Sequence, residues 1–225
     1  MVDVTCWTLI ESAASGDRAA RDGFVRRYLP VVRTYLQARW SDRLAKSELE
    51  DAVQEVFVEC LRDEGILARN AARRGSGFRI YLLGAVRNIA RRVEEARAKK
   101  LDAPRTDAFQ AEFLPAADET SSRLFDRAWA AQIMQEAAAN LFERAQAAGP
   151  LPLRRVELLR LVFQEDRKIA DIAREWDVPL KALHREYAKG RSEFAAVLQE
   201  VVAFHVTESD AAVERECQDL MRLLA

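Results

Sequence analysis

Apolar residues recur every three or four positions along most of the chain, which is the spacing of one face of an α-helix. This periodicity runs through residues 7–40, 48–63, 78–100, 123–147 and 153–204, and a final amphipathic stretch covers 208–224. Pro30 is expected at a break or in a first turn, because proline lacks the N–H that a helix interior uses. No alternating pattern typical of strands persists, and glycine and proline are scarce, at 8 and 6 residues. The predicted fold class is all-α.

The stretch ELEDAVQEVFVEC, residues 48–60, separates into an apolar face and a polar face when it is placed on a 3.6-residue period. With the following leucine, the apolar face holds Val53, Val56, Phe57, Cys60 and Leu61. The opposite face holds Asp51, Gln54, Glu55 and Val58. Ser47 and Glu50 have the spacing of a capping box, which predicts where the helix begins. An ordinary solvated acidic face and a protein-binding face both explain the pattern.

Residues 153–204 contain the pattern of a helix-turn-helix around the break Asp177-Val178-Pro179, where Pro179 suits the first turn of the second helix. The apolar face before the break is made by Ile169, Ile172, Ala173 and Trp176. The predicted core side after it is made by Leu180, Leu183, Tyr187 and Phe194. Outward from the second helix point Lys181, His184, Arg185, Lys189 and Arg191. Such residues reach the DNA major groove and its phosphates in a helix-turn-helix; a plain αα-hairpin is the alternative.

The overall charge indicates no nucleic-acid partner, since the 225 residues carry a net charge of −1, but the charges are segregated. Residues 69–100 contain ten Lys or Arg against Glu94 and Glu95, a local net charge of +8, with Phe78 and Tyr81 interleaved. Cations neutralise phosphates and aromatic rings stack on unpaired bases, so this segment is typical of single-strand binding. A solvated basic helix end with core aromatics is the alternative.

Domain organisation follows from residues 101–122, which lack periodicity and carry five acids against Arg105, a net charge of −4. We expect a flexible acidic linker at 101–123, between a first domain at 6–100 and a second at 124–204. The amphipathic extension at 205–225 is expected to pack on the second domain, and docking a regulator is the alternative.

The sequence contains few residues of the types that catalyse reactions or bind metals. Three widely separated cysteines and two histidines suit neither a disulfide framework nor a metal site, and a reducing cytoplasm is the simplest setting. Without a Ser/His/Asp set or a phosphate loop, we expect no catalytic residues, no metal, no cofactor and no enzymatic activity. No signal peptide and no apolar run near the ~20 residues of a membrane span are visible, so we expect a cytoplasmic protein without membrane insertion.

Three segments resemble a known family. EDAVQEVFVECL followed by FRIYLLGAVRNIARR resembles region 2 of bacterial RNA polymerase sigma factors, and IADIAREWDVPLKALHREYAKGRSEF resembles their region 4. Two such domains with a short linker resemble the extracytoplasmic-function (ECF) group of the sigma-70 family. The resemblance covers roughly residues 6–100 and 124–204. It implies a factor that binds core polymerase, melts the −10 element and reads the −35 element.

The resemblance also implies roles for individual residues. Binding to the coiled coil of the largest polymerase subunit is implied for Asp51, Gln54, Glu55 and Val58. Contacts with the −10 element are implied for Arg73, Arg74, Phe78, Arg79, Tyr81, Arg87, Asn88, Arg91 and Arg92, with a flipped base captured by the loop at 64–77. Contacts with the −35 element are implied for Lys181, His184, Arg185, Lys189 and Arg191. The partners so implied are core RNA polymerase (coiled coil and flap), promoter DNA, and a regulator such as an anti-sigma protein.

Region 4 departs from the family pattern: Lys181 and Ala182 stand where most relatives have a small residue and Thr, and Glu186 stands where most have Arg. An acid facing phosphate is unfavourable, although it can accept a hydrogen bond from a cytosine amino group. The −35 sequence therefore cannot be carried over from the family, and the alternative is that Glu186 faces its own domain. The acidic linker is expected to thread the positively charged polymerase channel, with a simple tether as the alternative. Two other classes stay open: a stand-alone helix-turn-helix regulator and a helical adaptor that binds only protein.

Overall fold

The computed structural model describes residues 6–41, 44–62, 78–100, 118–206 and 209–224. Over these ranges the protein is all-α, as predicted, and has no strand. The nine helices of the described residues are α1 Cys6–Ala14, α2 Arg18–Trp40, α3 Lys46–Leu61, α4 Phe78–Lys100, α5 Asp118–Ala148, α6 Pro150–Phe163, α7 Ile169–Glu175, α8 Leu180–His205 and α9 Asp210–Leu224. None of them combines the length and apolar character that crossing a membrane requires.

The chain forms two compact units. The first contains Met1–Gln132, Phe204–Ser209 and Asp219–Ala225, and the second contains Ile133–Ala203 and Asp210–Gln218. Helix α5 begins at Asp118, so residues 118–123 of the expected linker are helical. The rest of that linker, at 101–117, lies outside the described residues, as do Arg73, Arg74 and the loop at 64–77.

The break between α1 and α2 falls at residues 15–17 and not at the expected proline. Gly16 has φ of +96°, which glycine adopts without a steric penalty. Asp17 caps α2 by accepting a hydrogen bond from the Ala20 backbone N–H at 2.6 Å. Pro30 lies inside α2, and the helix continues through it. The expected break at Pro30 was therefore wrong: burial of the neighbouring Tyr28 and Val31 stabilises the helix despite the missing N–H.

Helix α3 begins earlier than the sequence indicated. Glu48 accepts a hydrogen bond from the Ala45 backbone N–H at 3.1 Å, so the helix starts at Lys46. The predicted capping box at Ser47 and Glu50 was wrong, because Glu50 instead accepts a hydrogen bond from Arg33 Nη2 at 2.6 Å. That pair joins α3 to α2.

Aromatic rings from several helices make the core of the first unit. Phe24 and Tyr28 of α2 contact each other with ring centroids 5.0 Å apart. Phe57 of α3 meets Phe24 edge-on at 6.0 Å. Offset and edge-on contacts of this kind stabilise a core beyond the area that they bury. The core therefore fixes how α2 and α3 pack.

The core of the second unit orders the helix-turn-helix. Its fully packed centre is made by Leu158, Leu161, Ile172, Ala173 and Leu183. The turn between α7 and α8 uses Asp177 with φ of +49°, and the Val178 backbone N–H donates to the Ala173 carbonyl at 3.0 Å. These contacts fix α8, the predicted DNA-reading helix, against α6 and α7.

Candidate protein and nucleic-acid interfaces

The four residues predicted to bind polymerase lie on one side of α3, because positions i, i+3, i+4 and i+7 share a helix face. Asp51 and Gln54 are exposed, and the Val58 side chain is 59% exposed although it is apolar. Ala52, Val53, Val56 and Phe57 are buried on the other side. We call Asp51, Gln54, Glu55 and Val58 the acidic face. An exposed valine among acids is the composition of a docking surface with a small apolar centre.

A groove that the sequence did not predict adjoins the acidic face. It has a volume of about 610 Å³ and includes Gln54 and Val58 in its lining. Its other apolar lining residues are Val25, Leu29, Val53, Phe57 and Leu61. Residues of both α2 and α3 line the groove, so it could not be predicted from the sequence pattern of either helix alone. The acidic face is therefore continuous with apolar surface.

The exposed part of α4 carries Asn88, Arg91 and Arg92, with Arg87 partly exposed beside them. We call these four residues the basic face. Arg91 lies 3.7 Å from Glu95, and both of these side chains are mostly exposed. An ion pair this exposed contributes about 0–1 kcal/mol, so Arg91 can exchange it for a phosphate.

The acidic and basic faces share a border. Arg92 Nη2 lies 3.1 Å from Glu55 Oε1, and both side chains are partly exposed. Glu55, a predicted protein contact, therefore pairs with Arg92, a predicted phosphate contact. The two surfaces adjoin within the first unit.

Phe78 corrects the predicted −10 set. Its side chain is 2% exposed. Its ring centroid lies 4.8 Å from that of Tyr28 and 5.8 Å from that of Phe24. A ring in this position cannot stack on a base while the core is intact. Phe78 is a core residue, as the alternative interpretation of the segment held.

Tyr81 and Arg79, also in the predicted −10 set, already have partners. Tyr81 is partly buried and meets Trp7 edge-on, with centroids 6.1 Å apart. Arg79 forms an ion pair with Asp126 of α5, in which Nε donates to Oδ1 at 3.1 Å. Both side chains retain some exposure, so neither lies in the core as Phe78 does.

Glu94 does not offset the charge of the basic face, because it lies in a polar network with α2. Arg39 donates to it through Nε at 2.8 Å and Nη2 at 3.1 Å, and Trp40 Nε1 donates at 2.9 Å. The Arg39 and Glu94 side chains are only 8% and 13% exposed. This bidentate pair fixes α4 on α2 and leaves Glu95 as the exposed acid beside the basic face.

All five side chains predicted to contact the −35 element are exposed on α8: Lys181, His184, Arg185, Lys189 and Arg191. Leu180, expected on the core side, is instead 45% exposed, whereas Leu183 is buried. The reason is geometric: Leu180 is the first residue of α8 and lies at the edge of the turn.

Glu186 faces its own unit, as one of the two interpretations held. Its Oε2 accepts a hydrogen bond from Arg155 Nη1 of α6 at 3.3 Å. Glu193, two turns further along α8, accepts hydrogen bonds from Arg155 Nε at 2.8 Å and from Arg155 Nη2 at 2.7 Å. Gly190, between them, allows close approach, since an added Cβ would lie 3.4 Å from Leu159 Cγ. Glu186 therefore helps hold α8 in place.

The cysteines are buried, and burial raises the pKa of the Cys6 thiol to about 11 and that of Cys60 to about 12. Both are therefore protonated and weakly nucleophilic at neutral pH. The described residues contain no cluster of three side chains able to ligate a metal. Comparison of the chain with protein-family models, curated proteins and solved structures found no match.

Proposed function

We propose that the chain is a transcription initiation factor of the ECF sigma group, which brings core RNA polymerase to promoters. The observation that carries this proposal is the border between the acidic and basic faces at Glu55 and Arg92, 3.1 Å apart. A protein held by acids and a nucleic acid held by cations would meet there. In this proposal residues 6–100 act as region 2, 124–204 as region 4 and 101–123 as the linker.

The acidic face would bind the basic coiled coil of the largest polymerase subunit. Asp51 and Glu55 supply charge, and complementary charge raises the association rate and orients the partners. Val58 and the adjoining groove supply apolar area that water leaves on binding. A charged rim beside an apolar centre is the usual composition of a specific protein interface.

The basic face would bind the non-template strand of the −10 element. Arg87, Arg91 and Arg92 are suited to phosphates, and the exposed Asn88 amide can pair with a base edge. Flipping a base out of the stack costs a few kcal/mol, which the protein must offset by stacking and hydrogen bonds. With Phe78 in the core, Tyr81 is the aromatic residue of the predicted set that retains exposure.

The second unit would read duplex DNA at the −35 element through α8. Its five exposed polar residues form the surface that a helix-turn-helix places in the major groove. Since Glu186 is held by Arg155, its charge is drawn away from the phosphates.

A stand-alone helix-turn-helix regulator is the second candidate, and the exposure of these α8 residues favours it equally. The two candidates differ in their partners. A stand-alone regulator binds duplex DNA without polymerase, so its function does not require the acidic face on α3. Capture of polymerase therefore separates the two functions.

The deciding experiment is capture of bacterial core polymerase by the purified chain, followed by run-off transcription on a genomic library. We expect the wild type to bind core enzyme and to start transcripts at discrete sites. Asp51→Arg should reduce capture at least tenfold, because it opposes the basic partner with a like charge. Surface changes of this kind alter folding stability by about 0.5 kcal/mol or less, so loss of capture would not reflect unfolding.

Glu214→Arg is the matched control, because it makes the same charge change at an exposed acid on α9. It should capture polymerase as the wild type does. Failure of the wild type to bind polymerase would exclude the proposal. Tight polymerase-independent binding of the free chain to duplex DNA would support the regulator instead.

A further inference from the structure

Leu180, the first residue of α8, is an exposed apolar side chain beside a packed core. It is 45% exposed, whereas Leu183, one turn later, is 2% exposed and belongs to the core of the second unit. Val178 and Tyr187, which precede and follow Leu180 in sequence, pack against that same core. Leu180 is therefore held outside a core that its neighbours enter.

The turn before α8 fixes the backbone at Leu180. The Pro179 carbonyl accepts hydrogen bonds from the Ala182 backbone N–H at 2.9 Å and from the Leu183 backbone N–H at 3.1 Å. The proline ring also restricts the backbone immediately before Leu180. A side chain on a backbone that is already fixed loses less conformational freedom when a ligand covers it.

Positive charge surrounds this end of α8. Lys181 and Arg185 are exposed cations, and His184, four residues from Leu180, lies on the same side of the helix. The first turn of α8, residues 180–183, contains no acid. The positive end of the helix dipole adds to the charge of the cations, so an anionic partner is favoured here.

A partner that matches this surface combines negative charge with a small apolar group. Duplex DNA has both, because its phosphates border the major groove and the C5-methyl group of thymine projects into that groove. The first residues of a recognition helix are the ones that reach base edges. Leu180 occupies that place in α8.

We propose that Leu180 contacts the methyl group of a thymine and thereby makes the chain select thymine at one fixed position of its duplex site. The proposal rests on α8 reading duplex DNA, which both candidate functions require. Lys181 has a different role, since a phosphate contact adds affinity without sequence information, whereas a contact with a base edge distinguishes sequences.

The test begins with the DNA sites that the full chain selects. They are recovered by run-off transcription with core polymerase or, if the chain does not capture polymerase, by selection of random duplexes with the free chain. Failure of the proposed function therefore leaves this test intact. The −35 elements, or the selected duplexes in the second case, should share a thymine at one position, and sites without a shared thymine would overturn the proposal.

The second step removes only the methyl group, by replacing the shared thymine with deoxyuridine, which keeps the base pair. Affinity is measured for the same complex that selected the sites. We expect the wild type to bind the deoxyuridine duplex about fourfold more weakly, the value for one methyl group that is no longer buried. Leu180→Ala should bind both duplexes equally, with about the affinity of the wild type for the deoxyuridine duplex.

Two further variants serve as controls. Leu151→Ala makes the same side-chain change at a leucine of α6 that is 65% exposed, and it should keep both the affinity and the methyl preference of the wild type. Lys181→Gln should weaken binding of both duplexes alike and keep the preference. Its slope of log affinity against log salt should fall by about 0.9, the value for one phosphate contact with B-DNA.

Three results would contradict a thymine contact. A wild type that binds the two duplexes equally has no contact with the methyl group. A Leu180→Ala variant that keeps the preference assigns the methyl contact to another residue. A Leu180→Ala variant that loses capture of polymerase shows that Leu180 contacts a protein instead of DNA.

Discussion

Burial strongly changes the pKa of the His205 side chain. Desolvation by burial, and then the nearby positive charge of Arg27, lower its pKa from 6.5 to about 3. Its Nδ1 faces the Tyr28 hydroxyl, whereas its Nε2 has no hydrogen-bond partner among the described residues. The imidazole is therefore neutral in the folded protein throughout the physiological range, and charging it opposes folding.

This burial predicts a loss of stability in mild acid. The unfolded chain takes up a proton at His205 as the pH falls through 6.5, whereas the folded chain does not until about 3. Stability from this residue is thus complete above pH 6.5 and is lost between 6.5 and 3, by about 2 kcal/mol at pH 5. Urea unfolding of wild type and His205→Gln at pH 7.5 and pH 5 measures the difference.

The chain's other histidine provides the control for that measurement. His184 is exposed on α8, so His184→Gln should keep the pH dependence of the wild type. A His205→Gln variant that loses as much stability between pH 7.5 and pH 5 as the wild type would contradict the prediction.

The neighbouring acids Glu94 and Glu95 should differ in how much their replacement destabilises the protein. Glu94→Gln leaves the Arg39 guanidinium buried without its counter-charge, and breaking a buried ion pair costs about 3–5 kcal/mol. Glu95→Gln removes only an exposed contact to Arg91, so its cost should be below about 0.5 kcal/mol. Denaturant unfolding of the two variants measures the contrast, and equal values would show that the network of Arg39 contributes little.

At the scale of elements, periodicity predicted what depends on one helix alone. The apolar side of α3 is buried at Val53, Val56 and Phe57, and its opposite side is exposed at Asp51 and Gln54, as the spacing predicted. A helix face follows from local spacing, so no knowledge of other helices is needed. The groove beside this face was missed, because three of its ten lining residues, Arg21, Val25 and Leu29, come from α2.

Long-range contacts explain the elements that were misjudged. Phe78 was predicted to stack on bases because aromatic residues among cations are typical of such sites. Its burial depends on Trp7, Phe24 and Tyr28, which precede it by at least 50 positions. Glu186 is the converse, since its two interpretations stayed open until the position of Arg155 on α6 was known.

Glu186 makes a prediction about α8 as an element. Replacing Glu186 by Arg would place two guanidiniums together, because Arg155 is buried there. We expect Glu186→Arg to destabilise the protein by about 1–2 kcal/mol, within the range of buried-network disruptions, without raising its affinity for duplex DNA. Thermal unfolding and a salt titration of DNA binding measure both.

Ala188→Arg is the comparison for Glu186→Arg. It adds the same side chain at an exposed position two residues along α8 and should not alter stability. A stable Glu186→Arg variant that binds DNA more tightly would mean that Arg155 does not require Glu186, and that this position faces the phosphates after all.

At the scale of the whole molecule, a net charge of −1 conceals surfaces of opposite sign that lie side by side. The sequence predicted the charge of each surface but not where the units divide. It placed the second domain from residue 124, whereas the first unit extends through Gln132 and includes Phe204–Ser209. Periodicity could not predict this division, since the helices α5 and α8 continue through it without a break.

That division predicts how fragments of the first unit behave. A fragment ending at residue 100 lacks Ser121, Phe125 and Trp129, whereas one ending at residue 132 keeps them. Since burying an aromatic side chain contributes about 1.5–3 kcal/mol, the shorter fragment should be less stable by at least about 3 kcal/mol. It should nevertheless fold, because the core contacts of Phe24, Tyr28, Phe57 and Phe78 lie within the first 100 residues.

Urea unfolding followed by helical circular dichroism compares the two fragments without depending on Trp129, which only one of them contains. Both lack Phe204 and His205, so the difference reports on residues 101–132, of which 118–132 belong to α5. Equal stability would show that residues 118–132 add nothing to the first unit. An unfolded shorter fragment would show the opposite, that the first unit cannot fold without them. The prediction thus requires an intermediate result, a fragment that is folded but less stable.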